Sequence, residues 1–80
     1  MREEIREELR EYFSGEQEAN ALEELNSITL QHVMAESQMN LDNTWSAIIK
    51  LSKGDLQELT RLTECAKKDF RDVVYWASLE

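Results

Sequence analysis

The chain has 80 residues, with nine basic and 17 acidic side chains and no proline, and this length accommodates a single hydrophobic core. Nineteen residues are Leu, Ile, Val or Phe, which is enough apolar content for the chain to collapse into a folded domain. The formal net charge of −8 repels phosphate groups and so argues against binding to nucleic acid or to an anionic membrane.

The cysteine content and the first residues bear on location. Cys65 is the only cysteine, so no disulfide can form within the chain. The sequence opens on Met1-Arg2-Glu3-Glu4 instead of an apolar signal segment, and no apolar run reaches the roughly 18 to 20 residues that cross a bilayer. We expect a cytoplasmic protein that binds no membrane.

Helices are predicted for the whole chain, because strand-like alternation is absent and only two glycines interrupt it. The first predicted helix covers about residues 2–13. Its apolar residues Ile5, Leu9 and Phe13 are four positions apart, which stacks them in one narrow row. Nine acidic and three basic side chains among residues 1–27 make this end an acidic arm, either a solvated helix face or a docking site for a basic partner.

The second predicted helix is long and covers about residues 15–39. Ser14-Gly15-Glu16-Gln17 has the form of an N-terminal capping box. A heptad-like seam follows through Ala21, Leu25, Ile28, His32, Ala35 and Met39. The opposite face carries Leu22, Leu30 and Val33. Because a helix with apolar residues on two sides packs between neighbours, we expect a second subunit to cover part of it.

Two further helices complete the predicted fold. Asp42 or Asn43 caps a short third helix over about residues 43–53. Asp55 begins a last helix over about residues 56–78. Its apolar seam consists of Leu56, Leu59, Thr63, Ala66, Phe70, Val73 and Ala77. The pattern predicts an all-α fold, a small bundle of four helices, two long and two short, built around an α-hairpin.

Two patterns raise the question of metal binding. Glu3-Glu4-x-x-Glu7 and Glu7-Glu8-x-x-Glu11 resemble the glutamate-rich helix of the all-α nucleotide pyrophosphatases related to MazG, in which such carboxylates hold magnesium. The partner Glu-x-x-Asp motif of that family is missing. His32 and Glu36 are four residues apart, but there is no second histidine to complete a di-metal site in a bundle. We therefore assign no metal ligand and no cofactor.

The residues needed for nucleophilic catalysis are also incomplete. Cys65 is a candidate nucleophile, but the chain has one histidine and no indicated carboxylate to orient it. Two glycines do not suffice for a glycine-rich phosphate loop. We assign no catalytic residue and expect no enzymatic activity.

Protein binding is the function that the sequence favours. Tyr75 lies on the far side of the last helix from its seam and is followed by Trp76, and both residue types are enriched at interface anchors. Leu22, Leu30 and Val33 are candidate contacts of a homodimer. The expected partner is a protein and not a nucleic acid. Two alternatives stay open: a small metal-dependent hydrolase that uses the glutamate-rich first helix, and an acidic decoy of a nucleic-acid-binding protein.

Overall fold

A computed structural model describes residues 1–80 and contains helices but no β-strand. The α-helices are α1 (Glu3–Tyr12), α2 (Glu16–Asn26), α3 (Gln38–Ser52) and α4 (Leu56–Ser78). Two single turns of 3₁₀ helix, Leu30–His32 and Met34–Glu36, lie between α2 and α3. The predicted all-α bundle is confirmed.

The first helix agrees with its prediction. Ile5, Leu9 and Phe13 form the predicted row, and each is at most 7% exposed. Two glutamates lie in the first turn of α1 and Arg10 lies in the last turn, an arrangement that the helix dipole favours. The apolar row packs α1 against α2 and α3.

The predicted second helix over residues 15–39 is wrong, because the chain leaves the helical path after Asn26. Gly15 precedes α2 as its N-cap, without the side-chain capping bond that was predicted for Ser14. The helical part is therefore less than half as long as the apolar seam suggested.

Residues 27–37, the linker segment, depart from the helix through local side-chain hydrogen bonds. The Ser27 hydroxyl donates to the carbonyl oxygen of Glu24. The backbone amide of Thr29 donates to Nδ1 of His32 at 2.9 Å. Such bonds satisfy backbone groups in a way that competes with helical hydrogen bonding. They account for the end of α2 within an otherwise regular apolar pattern.

The break changes the environment of the predicted seam. Ala21, Leu25 and Ile28 are buried, as the pattern predicted. Ala35 and Met39 are exposed instead, because they follow the break. The seam is thus real only over its first half.

The third helix begins at Gln38, earlier than the predicted residue 43. Ser37 is its N-cap, since the Ser37 hydroxyl oxygen accepts a hydrogen bond from the Asn40 amide at 3.2 Å. Asp42 is not a cap but is buried within α3, where its Oδ1 accepts from Nε2 of Gln38 at 2.9 Å. The prediction that Asp42 caps the third helix is wrong, because its carboxylate bonds to Gln38 within α3 instead of to the amides of a helix start.

The last helix begins as predicted and is then interrupted at Asp69. Asp55 caps the first turn by accepting hydrogen bonds from two backbone amides at 3.0 and 3.3 Å. Asp69 has φ −158° and ψ 98°, so α4 consists of a first arm, residues 56–68, and a second arm, residues 70–78.

The second arm turns back toward the beginning of α4. A straight helix of 23 residues would separate its ends by ~35 Å, and that straight helix was the prediction. Instead, Nζ of Lys53, before α4, lies 3.3 Å from Oε1 of Glu80, after α4. Val74 and Ala77 of the second arm border a cleft together with Ala47 of α3. The second arm therefore packs beside α3 and closes the hairpin that α3 forms with the first arm.

The core lies between α3 and α4 and is covered by α1 and α2. Its largest fully buried apolar side chains are Phe13, Leu9, Leu25, Ile28, Ile48, Ile49, Leu59, Leu62 and Val73. Trp45 links two layers of this core, because its indole Nε1 donates to the carbonyl oxygen of Leu25 at 2.7 Å. None of the helices combines the length and the apolar character needed to span a membrane.

Candidate interaction surface

The inner side of the second arm attaches it to the core. Val73 and Ala77 are buried, and Phe70 and Val74 are half-buried against the core. These positions share one side of the helix, because residues three or four apart lie above one another. The opposite side of the second arm is therefore left to solvent.

That outer side carries three apolar residues, Tyr75, Trp76 and Leu79, which we call the C-terminal stripe. Their exposed fractions are 61%, 38% and 67%. Leu79 follows Tyr75 by four residues and Trp76 by three, so it lies beside both aromatic side chains. Tyr75 and Trp76 were predicted as interface contacts, whereas Leu79 was left out of that prediction although its spacing places it on the same side. Contiguous exposed apolar residues, unlike isolated ones, are typical of interaction sites.

Ion pairs lie at both ends of the second arm. Oδ1 of Asp69 accepts hydrogen bonds from Nε of Arg71 at 3.0 Å and from the Arg71 backbone amide at 3.1 Å. The side-chain bond, followed by the backbone bond, lowers the pKa of Asp69, and the same partnership raises the pKa of Arg71. Glu80 pairs with Lys53 at the other end. Each pair is exposed and individually weak, so the buried residues Val73 and Ala77 contribute more to the position of the stripe.

The five residues predicted as interface contacts have two different environments. Tyr75 and Trp76 are exposed on the C-terminal stripe. Leu22 and Leu30 are half-buried against the core, and Val33 is only 6% exposed. The prediction that Leu22, Leu30 and Val33 share one open helix face is wrong. The helix ends after Leu22, and Leu30 and Val33 lie in the linker segment, which folds onto the core.

The glutamates of α1 make separate contacts. Glu3 pairs with Nη1 of Arg10 at 3.2 Å, and this hydrogen bond is the main cause of the raised pKa of Arg10. Glu8 accepts from the Ser46 hydroxyl of α3 at 2.9 Å. Nowhere in the chain do three His, Cys, Asp or Glu side chains lie together in a group that could hold a metal ion. The convergent carboxylates that a magnesium site requires are not formed by these residues.

His32 and Cys65, the other two candidate functional residues, both contact residues that are near them in sequence. Nδ1 of His32 accepts the Thr29 amide and so belongs to the linker segment. Cys65 is half-buried, and its Sγ lies 4.0 Å from Nη1 of Arg61. A nucleophile is activated by a base within hydrogen-bond reach, and the hydrogen bonds of Cys65 and His32 are made to Arg61 and Thr29.

Acidic side chains outnumber their partners mainly in the first half of the chain. Ion pairs within 4.0 Å engage seven of the nine cationic side chains and eight of the 17 acidic ones. The acidic residues outside these pairs are Glu7, Glu8, Glu11, Glu16, Glu23, Glu24, Glu36, Asp55 and Asp72. No lysine or arginine occurs between Arg10 and Lys50. The unpaired carboxylates of this half lie on α1, α2 and the linker segment, and the stretch that includes the end of α2 and the linker segment has no basic residue of its own.

Comparison with protein-family models, with curated proteins and with solved structures found no significant match to this chain. The features that bear on function are therefore its own surfaces. Of these, the C-terminal stripe has the largest exposed apolar residues in one place, and α2 with the linker segment has the most unpaired negative charge.

Proposed function

We propose that the protein is a non-enzymatic, cytoplasmic protein-binding module whose contact surface is the C-terminal stripe. The observation that supports this most is the joint exposure of Tyr75, Trp76 and Leu79 on one side of a short helical arm. Tyrosine and tryptophan combine a large apolar area with a polar group, and they are the residues most often found at binding hot spots. Covering a large apolar side chain completely stabilises a complex by roughly 1.5–3 kcal/mol.

A homodimer is one form that this contact can take. Two copies related by a two-fold axis would bring the same stripe residues of both chains together. Light scattering coupled to size exclusion over a wide concentration range tests this. A constant mass near 9.4 kDa would exclude the homodimer and leave a different protein as the partner.

Site-specific photo-crosslinking tests the proposed contact surface in the native cell. A benzoylphenylalanine replaces Tyr75 in one variant and Asn20, an exposed residue of α2, in the control variant. We expect a discrete crosslinked protein from position 75 that position 20 does not yield. The proposal fails if position 75 yields no crosslink, or if both positions yield the same products.

A second candidate function, an acidic decoy of a nucleic-acid-binding protein, is favoured by the unpaired carboxylates. Such a decoy would imitate the charge of a phosphate backbone, so its binding would fall steeply with salt. Removing two charges with Glu7→Gln and Glu11→Gln should weaken binding to a basic nucleic-acid-binding protein. Tyr75→Ser with Leu79→Ser should leave it unchanged. If Tyr75→Ser with Leu79→Ser weakens binding and the glutamate variants leave it unchanged, the result supports the C-terminal stripe as the contact surface.

A further inference from the structure

An open groove of about 660 Å³ lies between the end of α2, the linker segment and α3. Its apolar lining comes from Ile28, Leu30, Leu41 and Trp45, and Asn26 and Glu36 contribute polar groups. This volume is within the range of about 300–1,000 Å³ that is usual for binding pockets. No residue of the C-terminal stripe lines it, so it is a separate surface.

The apolar part of the groove is held in place by the core. Trp45 is 6% exposed, and its indole is fixed by the hydrogen bond to the carbonyl oxygen of Leu25 at the end of α2. Leu41 and Ile28 are also buried apart from the atoms that border the groove. A preformed lining of this kind lowers the ordering cost that a ligand must overcome on binding.

The border of the groove is negative. The last turn of α2 contains Glu23 and Glu24 and no basic residue, so the negative end of the helix dipole is reinforced instead of neutralised. Glu23 lies one turn before Asn26 and on the same side of the helix. Glu36 borders the groove from the linker segment and takes part in no ion pair. A cationic group would relieve this accumulated charge.

The linker segment holds Glu36 in an unusual backbone conformation. Ala35 and Glu36 have φ of 59° and 48°, in the left-handed region that residues other than glycine seldom adopt. Such costs are concentrated at sites with a function. Met34 and Met39, in and next to the same segment, are 56% and 70% exposed. Methionine side chains are flexible and polarizable, which suits a surface that adapts to a partner.

We infer that this groove binds a cationic, amphipathic peptide segment of a partner protein. An apolar side chain of the peptide packs against Leu30 and Trp45, while its lysine or arginine side chains lie against Glu36 and the end of α2. The charge of the border selects against acidic peptides and phosphate-bearing ligands. The apolar lining selects for a peptide that carries hydrophobic residues as well as charge. This inference does not rest on the C-terminal stripe.

Trp45 provides a direct probe of the groove. The chain has two tryptophans, so Trp76→Phe leaves Trp45 as the sole one. The ligand is a synthetic helical peptide of about 14 residues with leucines on one side and lysines on the other, a helix-in-groove arrangement. At physiological salt we expect a saturable change in Trp45 emission. The same peptide with every lysine replaced by glutamate should produce none.

Two matched pairs of substitutions separate the groove from general attraction. Glu23→Gln with Glu36→Asn removes two charges at the groove, and asparagine tolerates the left-handed conformation at position 36. Glu7→Gln with Glu11→Gln removes two charges from α1, which contributes no residue to the groove. The groove pair should raise Kd about fivefold to tenfold, as expected for two partly exposed ion pairs. The α1 pair should change Kd less than about twofold, because Glu7 and Glu11 do not border the groove and salt screens their exposed charges.

Thermal melts of both double variants should stay close to that of the parent protein, so that a change in Kd reports the surface. Equal weakening by the two pairs would mean that a polycation is attracted to an acidic protein without using the groove, and it would overturn the inference. An emission spectrum that does not respond to the peptide would do the same. A spectrum that changes with protein concentration alone would show a second copy in the groove and would also contradict the proposed occupant.

Discussion

Replacing Trp45 with phenylalanine should destabilise the fold by a predictable amount. The substitution removes the hydrogen bond from the indole Nε1 to the Leu25 carbonyl, which has a length of 2.7 Å and ties α3 to α2. An intramolecular hydrogen bond contributes about 0.5–1.5 kcal/mol net. The Leu25 carbonyl keeps the amide of Ile28 at 3.0 Å, so no buried acceptor loses its last partner.

The smaller ring also leaves a void next to the core, which costs about 1 kcal/mol. The two contributions together lower the free energy of unfolding by about 2 kcal/mol. A domain of 80 residues has a total stability of about 4–12 kcal/mol, so this loss is a sizeable fraction. The melting temperature should fall by roughly 8–16 °C.

Urea unfolding followed by far-ultraviolet circular dichroism measures this change without depending on tryptophan emission. Trp76→Phe is the matched control, because Trp76 is 38% exposed and belongs to the C-terminal stripe. We expect the control to stay within about 0.5 kcal/mol of the wild type. The proposed role of Trp45 is refuted if Trp45→Phe is equally mild, or if both substitutions cost the same.

Three further substitutions test particular features of the fold. Thr63 is fully buried with an unpaired hydroxyl, so Thr63→Val should raise the free energy of unfolding by about 1 kcal/mol in a urea titration, and a loss would contradict the packing. Gly54 has φ +84° and a Cβ there would lie 3.2 Å from the Tyr12 carbonyl oxygen, so Gly54→Ala should lower it by about 1–2 kcal/mol. Gly15→Ala should also lower it by about 1–2 kcal/mol in the same assay, because Gly15 has φ +61° and ψ −132° although a Cβ there would meet no atom within 4 Å. The pKa of Asp69 is lowered in the fold, so the contribution of its carboxylate to stability is complete above about pH 4 and disappears as the pH falls through the folded pKa. The stability difference between the wild type and Asp69→Asn should therefore shrink in acid titrations. A difference that stays constant with pH would contradict the ion pair.

Local signals in the sequence were sufficient for some elements. The four-residue spacing of Ile5, Leu9 and Phe13 predicts the buried row of α1 without knowledge of its neighbours. Asp55 predicts the start of α4 because an aspartate is a strong N-cap wherever its side chain can reach the following amides. The solvent-facing position of Tyr75 also follows from periodicity alone.

The break after α2 could not be obtained from periodicity, because apolar spacing continues through residues that are not helical. Leu30 lies in the first 3₁₀ turn and Val33 directly follows it, and both return to the core. The first turn contacts α4, which lies far along the chain. The left-handed conformations of Ala35 and Glu36 have no signature in their residue types. The homodimer face predicted for Leu22, Leu30 and Val33 depended on a helix that continued through residue 39.

The sequence contains a pattern that predicts the interruption of α4 at Asp69. Asp69-Phe70-Arg71-Asp72 has an acidic cap followed three residues later by another acidic side chain, the pattern of a helix start. The regular seam on both sides of Asp69 concealed it. The direction of the second arm depends on packing against α3, which lies distant in sequence.

The affinity of the stripe variants for the crosslinked partner tests the proposed function most directly. Tyr75→Ser with Leu79→Ser removes two exposed apolar side chains that take no part in the core, so the fold should melt as the wild type does. Loss of such contacts at a binding hot spot should raise Kd by about tenfold or more. A Kd within about twofold of the wild type, for a double variant that remains folded, would show that the partner binds elsewhere.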